Sequence, residues 1–209
     1  MKNDTLKVGL VGLVLGIILT FVFASMWGGM MGYRNSMMGF SNDTSQGNRM
    51  MGAIDSHFIE QMIPHHEGAI AMAKLAIEKS KHQEIKILAN AIIESQTKEI
   101  EDMAGWYKNW FGKDVPKGSS MMMGGGMMSG SGMHMGGEED MTALQTASDF
   151  DKAFLEAMIP HHQLALMMVQ MLEAGTNRPE MIQLAKNITA SQSKEIEDMQ
   201  GWYRDWYGQ

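Results

Sequence analysis

The stretch "FIEQMIPHHEGAIAMA", residues 58–73, places Met62, His65 and His66 around Pro64 inside an otherwise amphipathic helical pattern. "FLEAMIPHHQLALMMV", residues 154–169, repeats the arrangement 96 positions later with Met158, His161 and His162. Each is followed by a second shared string, "SQ.KEIEDM.GWY..W.G" at 95–112 and 191–208, which carries Gln96, Glu99 and Met103 and then Gln192, Glu195 and Met199. Thioether sulfur and imidazole nitrogen together suit soft monovalent ions such as Cu(I) and Ag(I). The chain has no cysteine, so thiolate metal sites, disulfides and cysteine nucleophiles are excluded together.

The elements that must position these residues follow from periodicity. Residues 55–112 and 151–208 align without a gap and nearly half their positions are identical, so one unit occurs twice. In the first copy Phe58, Met62, His65, Ala69 and Met72 advance by alternating steps of four and three, and so do Ile85, Ala89, Ile92, Gln96, Glu99 and Met103. That is a helical seam on each of two segments. The short connection at 80–83 makes the segments antiparallel, and Gly112 and Gly208 stand where helices stop. Two such hairpins predict an all-α protein, an antiparallel four-helix bundle. Counted from the turn, at about 1.5 Å per residue, His65, Gln96 and Glu99 share one layer, with Met62 and Met103 one layer further along.

Polar residues on an apolar seam cost free energy unless they are paired or used. Two readings of the layer therefore stand side by side. In one, His, Glu and Gln fix register and specificity by bonding one another. In the other, they join the neighbouring methionines as metal ligands. His66 and His162, one step off the seam, are rim ligands or face solvent. Met72, Met167, Met168, Met171 and Met181 read as core filler, since methionine packs irregular gaps. The tryptophans read as plugs of the bundle ends, and His57 and His82, replaced by Ala153 and Arg178 in the second copy, carry no site.

The remaining chain divides by composition. Residues 1–28 contain an apolar run from Leu6 to Trp27, long enough to span a bilayer and lacking a clear cleavage site, which predicts an uncleaved anchor, the alternative being a secretory signal peptide. Lys2 precedes it and Lys7 stands at its very start, so the N-terminus is expected in the cytoplasm and everything after the single span in the periplasm or outside the cell. Gly12 and Gly16 form a G-x-x-x-G that permits a homodimer through the span. Residues 29–53 read as a Gly/Met-rich linker, 54–112 as the first hairpin, 113–147 as a flexible Gly/Met-rich linker and 148–209 as the second hairpin. The tract "SSMMMGGGMMSGSGMHMGG" adds Met121, Met122, Met123, Met127, Met128, Met133, His134 and Met135 as candidate soft-metal donors. A net charge of −7 without a Lys/Arg cluster argues against nucleic acid.

The string "F...MIPHH..A..M" followed by "SQ.KEI..M..W" resembles the ferritin-like domain-of-unknown-function family 305, found in many exported bacterial proteins and including a periplasmic copper-binding protein of cyanobacteria. The resemblance spans about two thirds of the chain, in both copies. It implies a four-helix bundle, copper or silver held by Met and His, no organic cofactor and no established enzyme activity. The positions matching the motif are Met62, His65, His66, Gln96, Glu99, Met103 and their counterparts. Di-iron bundles use Glu-x-x-His pairs, and no Glu here is followed by His three residues on. The expectation is a non-enzymatic, membrane-tethered Cu(I)/Ag(I) binder in copper sequestration, homeostasis or tolerance, with a copper-handling partner. The alternative is a helical interaction module at the membrane surface whose buried layer is structural.

Overall fold

The computed structural model describes residues 44–116 and 138–208. Five helices account for most of them: α1 (Thr44–Lys79), α2 (Gln83–Phe111), the short α3 (Glu138–Thr146), α4 (Phe150–Glu173) and α5 (Pro179–Tyr207). The architecture is all-α: α1 with α2 and α4 with α5 form the two hairpins, which meet chiefly through α1 and α4, and α3 packs on α4. None of the described helices is long and apolar enough to cross a membrane. The apolar run at 6–27 lies outside the described residues.

Local chemistry sets the helix ends. Gly112 (φ 68°) and Gly208 (φ 70°) adopt the left-handed conformation, and their N–H groups return to the carbonyls of Lys108 and Arg204. A side chain at either glycine would be strained, so these positions stop α2 and α5. Asp149 caps α4 by accepting from the Lys152 N–H, and Pro179 opens α5, where its missing N–H costs nothing. In the α1–α2 turn Ser80 Oγ accepts from the His82 N–H, and in the α4–α5 turn Thr176 Oγ1 accepts from the Arg178 N–H. The repeat thus extends to the turns.

Helix α1 begins ten residues before the hairpin start read from the sequence pattern. The corresponding stretch of the second copy is separated from α4 by the Asp149 cap and folds as α3, inside the stretch read as linker. Leu144 of α3 is buried against Phe150 and Phe154 in one core, and Lys79 Nζ donates to the Gln145 carbonyl at 2.8 Å. The apolar interior falls into two clusters. One joins the C-terminal half of α1 and the N-terminal halves of α2 and α4 with Met199 of α5. The other joins the opposite halves, including Phe58, Met62, Met103, Val169 and Ile188. Each fully buried Leu, Ile, Met or Phe contributes roughly 1.5–3 kcal/mol, so both clusters hold the hairpins together. Between them lies a layer that is not apolar.

Candidate metal centre

Helix α1 packs on α2 within its hairpin and on α4 across the molecule, so a wide arc of its surface is covered. Successive helical residues point about 100° apart, and both His65 and His66 fall within that arc. His65 turns toward α4, where its ring meets His161 with centroids 3.8 Å apart and planes inclined at 39°. His66 turns toward α2, where its Nε2 lies 2.7 Å from Glu99 Oε2. The second copy does the same, with His162 Nε2 at 2.6 Å from Glu195 Oε2. The rim or solvent-facing position expected for His66 and His162 is therefore corrected: both are completely buried, because α1 and α4 each have two helical neighbours. Glu99 and Glu195, by contrast, reach the surface with side chains 14% exposed.

Four imidazoles and two carboxamides make up the layer's buried polar interior. Both ring nitrogens of His65 and His161, the Nδ1 of His66 and His162, and the Oε1 of Gln96 and Gln192 are buried without a hydrogen-bond partner. These are eight of the nine such side-chain atoms among the described residues, the ninth being an Asp55 oxygen. Leaving a polar group so costs about 1–3 kcal/mol. Burial, reinforced by His66 and His162 nearby, pushes the His65 imidazole down to about 3, and the backbone of His161 opposes this without reversing it. Burial, with His65 foremost among its neighbours, likewise holds His161 well below the usual range. The central pair is consequently neutral at ordinary pH, each ring keeping a nitrogen lone pair for a ligand.

The methionines flank this layer. Met62 and Met103 are fully buried in one apolar cluster, and Met158 and Met199 are fully buried in the other. Each pair thus stands on its own side of the imidazoles, one helical turn from His65 and Glu99 or from His161 and Glu195. Among the described residues no three His, Asp or Glu groups are arranged to hold an ion by themselves. Pro64 and Pro160 lie inside α1 and α4, where each removes an N–H from the helix ladder. The carboxylates one turn earlier are held by tyrosines, Glu60 by the Tyr107 hydroxyl and Glu156 by the Tyr203 hydroxyl at 2.6 Å.

Of the other candidates, Met121, Met122, Met123, Met127, Met128, Met133, His134 and Met135 lie outside the described residues. Met72 and Met181 are buried and Met168 is partly buried against the core, as filler should be. Met167 and Met171 are 50% and 67% exposed, which corrects their reading as filler: they occupy an arc of α4 that no helix covers. Trp106 stacks on Trp110 and Trp202 on Trp206, each pair packed at the margin of a core.

A pair of end clasps escaped the sequence reading. His82 Nδ1 bonds Asp151 Oδ2 at 2.6 Å while its ring stacks on Trp206 at 3.7 Å. At the symmetric position Arg178 Nε bonds Asp55 Oδ2 at 2.9 Å and lies over the Trp110 ring at 4.1 Å. Each turn thus grips the other hairpin. The signal available was the recurrence of Asp at 55 and 151; the differing partners, His and Arg, hid it.

The DUF305 model, a domain of unknown function, matches residues 55–203, which take in most of both hairpins and the whole layer. The chain belongs to the DUF305 family. Among solved structures it is similar to CopM in the Cu(I)-bound form, with 45% identity over 73% of this chain and 97% of that one and a TM-score of 0.63. It is also similar to CopM in the Cu(II)-bound form, with 47% identity over 73% of this chain and 97% of that one and a TM-score of 0.64. A DUF305 fragment from Deinococcus radiodurans matches at 27% identity over 71% of this chain and 93% of that one, with a TM-score of 0.58. The uncharacterized protein L153 of Acanthamoeba polyphaga mimivirus is 45% identical over 49 residues, 23% of this chain and 32% of its own length. The match thus spans about a third of that relative.

Proposed function

We propose that this DUF305 protein binds soft monovalent metal ions, Cu(I) and Ag(I), at the imidazole layer with the flanking methionines, and that it serves copper sequestration or tolerance rather than catalysis. The observation that carries the reading is the set of eight buried polar atoms without protein partners, bracketed by Met62, Met103, Met158 and Met199. A layer kept only to fix register would pair its members, because unpaired buried groups destabilise the fold they specify. Neutral imidazole and thioether groups suit Cu(I) and Ag(I). The likeness to CopM structures with Cu(I), Cu(II) and Ag bound supports the same ligand class here. The Gly/Met tract at 119–137 is a second donor set, and the apolar run at 6–27 tethers the bundle to the membrane from the periplasmic or extracellular side.

The test is a Cu(I) titration of the full chain in detergent against a chromophoric Cu(I) competitor, with and without deletion of 119–137. Stoichiometric uptake by the deleted chain supports the bundle layer as a site. Uptake lost with the tract would return the layer to a structural role, and no uptake by either form would overturn the copper reading.

A further inference from the structure

We infer that Glu99 and Glu195 are positioning residues rather than metal ligands, and that they restrict His66 and His162 to binding a soft ion through Nδ1. This rests on the proposed metal reading and specifies which atoms of that site do the binding.

The bonding of each histidine carries the inference. Each Nε2 is occupied by a carboxylate oxygen, at 2.7 Å for His66 and 2.6 Å for His162, whereas each Nδ1 is buried without a protein partner. A carboxylate oxygen accepts, so the Nε2 it touches carries a hydrogen, and Nδ1, which no protein group touches, is the nitrogen left to a ligand. The tautomer follows from the partner, as it does where a carboxylate orients a metal-bound imidazole. A carboxylate is also a hard donor, poorly matched to Cu(I) or Ag(I) but well suited to raising the basicity of the imidazole that binds them.

Burial separates the two groups further. Each histidine is fully buried and each glutamate side chain is 14% exposed, so the carboxylate stands on the solvent side of its ring. The His65 and His161 rings meet each other with centroids 3.8 Å apart, and the adjacent rings of His65 and His66 have centroids 6.2 Å apart, as do those of His161 and His162. The unpaired nitrogens therefore belong to the interior and the carboxylates to its edge. Gln96 and Gln192 present oxygens, not carboxylates, to the same interior.

The experiment is imidazole 15N–1H correlation spectroscopy of the full chain in detergent, before and after addition of silver nitrate, since Ag(I) is diamagnetic. The expected result is an Nε2–H tautomer for His66 and His162 in the free protein, with Nδ1 shifting on Ag(I) binding while Nε2 keeps its proton. Glu99→Gln with Glu195→Gln retains an acceptor oxygen and is expected to hold both the tautomer and the Ag(I) affinity within about threefold. Glu99→Ala with Glu195→Ala releases the tautomer and lowers affinity on the order of 10–100-fold, the usual effect of losing an orienting group. Metal at Nε2 would overturn the assignment, and so would Gln variants as impaired as the Ala variants, since orientation by an acceptor oxygen would then not account for what the glutamates do. Ag(I) uptake with His66 and His162 unchanged would sink this assignment alone, whereas no uptake at all would remove the metal reading with it.

Discussion

His65 and His161, 96 positions apart in the chain, lie ring against ring at 3.8 Å in the middle of the molecule. Two protonated imidazoles would repel strongly there, and burial already holds His65 down to about 3 and His161 well below its usual range. The consequence for stability has a definite sign. Below about pH 6.5, the ordinary histidine value, the unfolded chain binds protons that the folded chain refuses, so stability falls with pH. The window runs from about 6.5 down to the folded value near 3. At about 1.4 kcal/mol per pH unit for each such group, denaturant unfolding of the metal-free protein should show a loss of a few kcal/mol between neutral pH and about pH 5. The slope should shrink in His65→Leu/His161→Leu. Equal slopes in the two proteins would mean the pair is not the acid-sensitive element.

That double variant also separates stability from function. Leucine replaces rings whose four nitrogens lack partners, and exchanging unpaired buried polar groups for apolar ones of similar size is neutral or stabilising. The metal-free variant is expected to gain about 1–3 kcal/mol at pH 7 and to lose Cu(I) uptake at the bundle. A loss of stability instead would show that the imidazoles hold the layer together, which favours the interaction-module reading.

Much of this arrangement was legible in the sequence. The repeat, the seams and the two glycine stops fixed the hairpins, and the polar exceptions at His65, Gln96 and Glu99 located the layer, because helical rise alone aligns them. Partner choice was not legible. Seam counting placed Glu99 beside His65, whereas it bonds His66, since which of two adjacent histidines faces α2 depends on how α4 covers α1. Likewise Met167 and Met171 fit a core pattern, and only the open arc of α4 shows them at the surface. The clasps needed three dimensions altogether: His82 and Asp151 are 69 residues apart, on different hairpins.

Those clasps are unequal despite their symmetry. Asp151 accepts from the Lys81 and His82 N–H groups as well as from His82 Nδ1, whereas Asp55 accepts from Arg178 and leaves its other oxygen without a partner. Burial alone would raise the Asp151 carboxyl, but hydrogen bonds from Ser80, His82 and the Lys81 and His82 amides outweigh it and lower the carboxyl below its usual value. Its contribution is present above about pH 4, the ordinary Asp value, and is lost as pH falls through the lowered one. Asp151→Ala should therefore cost roughly 2–4 kcal/mol near neutral pH, from charge-assisted bonds worth about 1.5–3 each and partly replaced by water. Asp55→Ala should cost less. Equal losses in denaturant unfolding would show that the extra backbone bonds contribute nothing.

The methionines give the sharpest contrast between packing and chemistry. Met62, Met103, Met158 and Met199 are fully buried, and Met→Leu nearly conserves volume, so each replacement should cost less than about 1.5 kcal/mol. Leucine cannot donate to a metal, however, and a soft ion depends on sulfur more than a harder one does. Replacing all four in a chain lacking 119–137 should leave the helical circular-dichroism signal and the cooperativity of unfolding intact while Cu(I) affinity drops by at least tenfold. Cu(II), which favours imidazole nitrogen, should be affected less. Because two methionines belong to each apolar cluster, replacing Met62 and Met103 alone should remove the sulfur donors from one side of the imidazole layer and leave the other side working. A halved Cu(I) stoichiometry would indicate one ion per side. An unchanged stoichiometry with weakened binding would indicate a single ion shared across the His65–His161 pair, and unchanged affinity in the fourfold variant would place the ion away from the thioethers altogether.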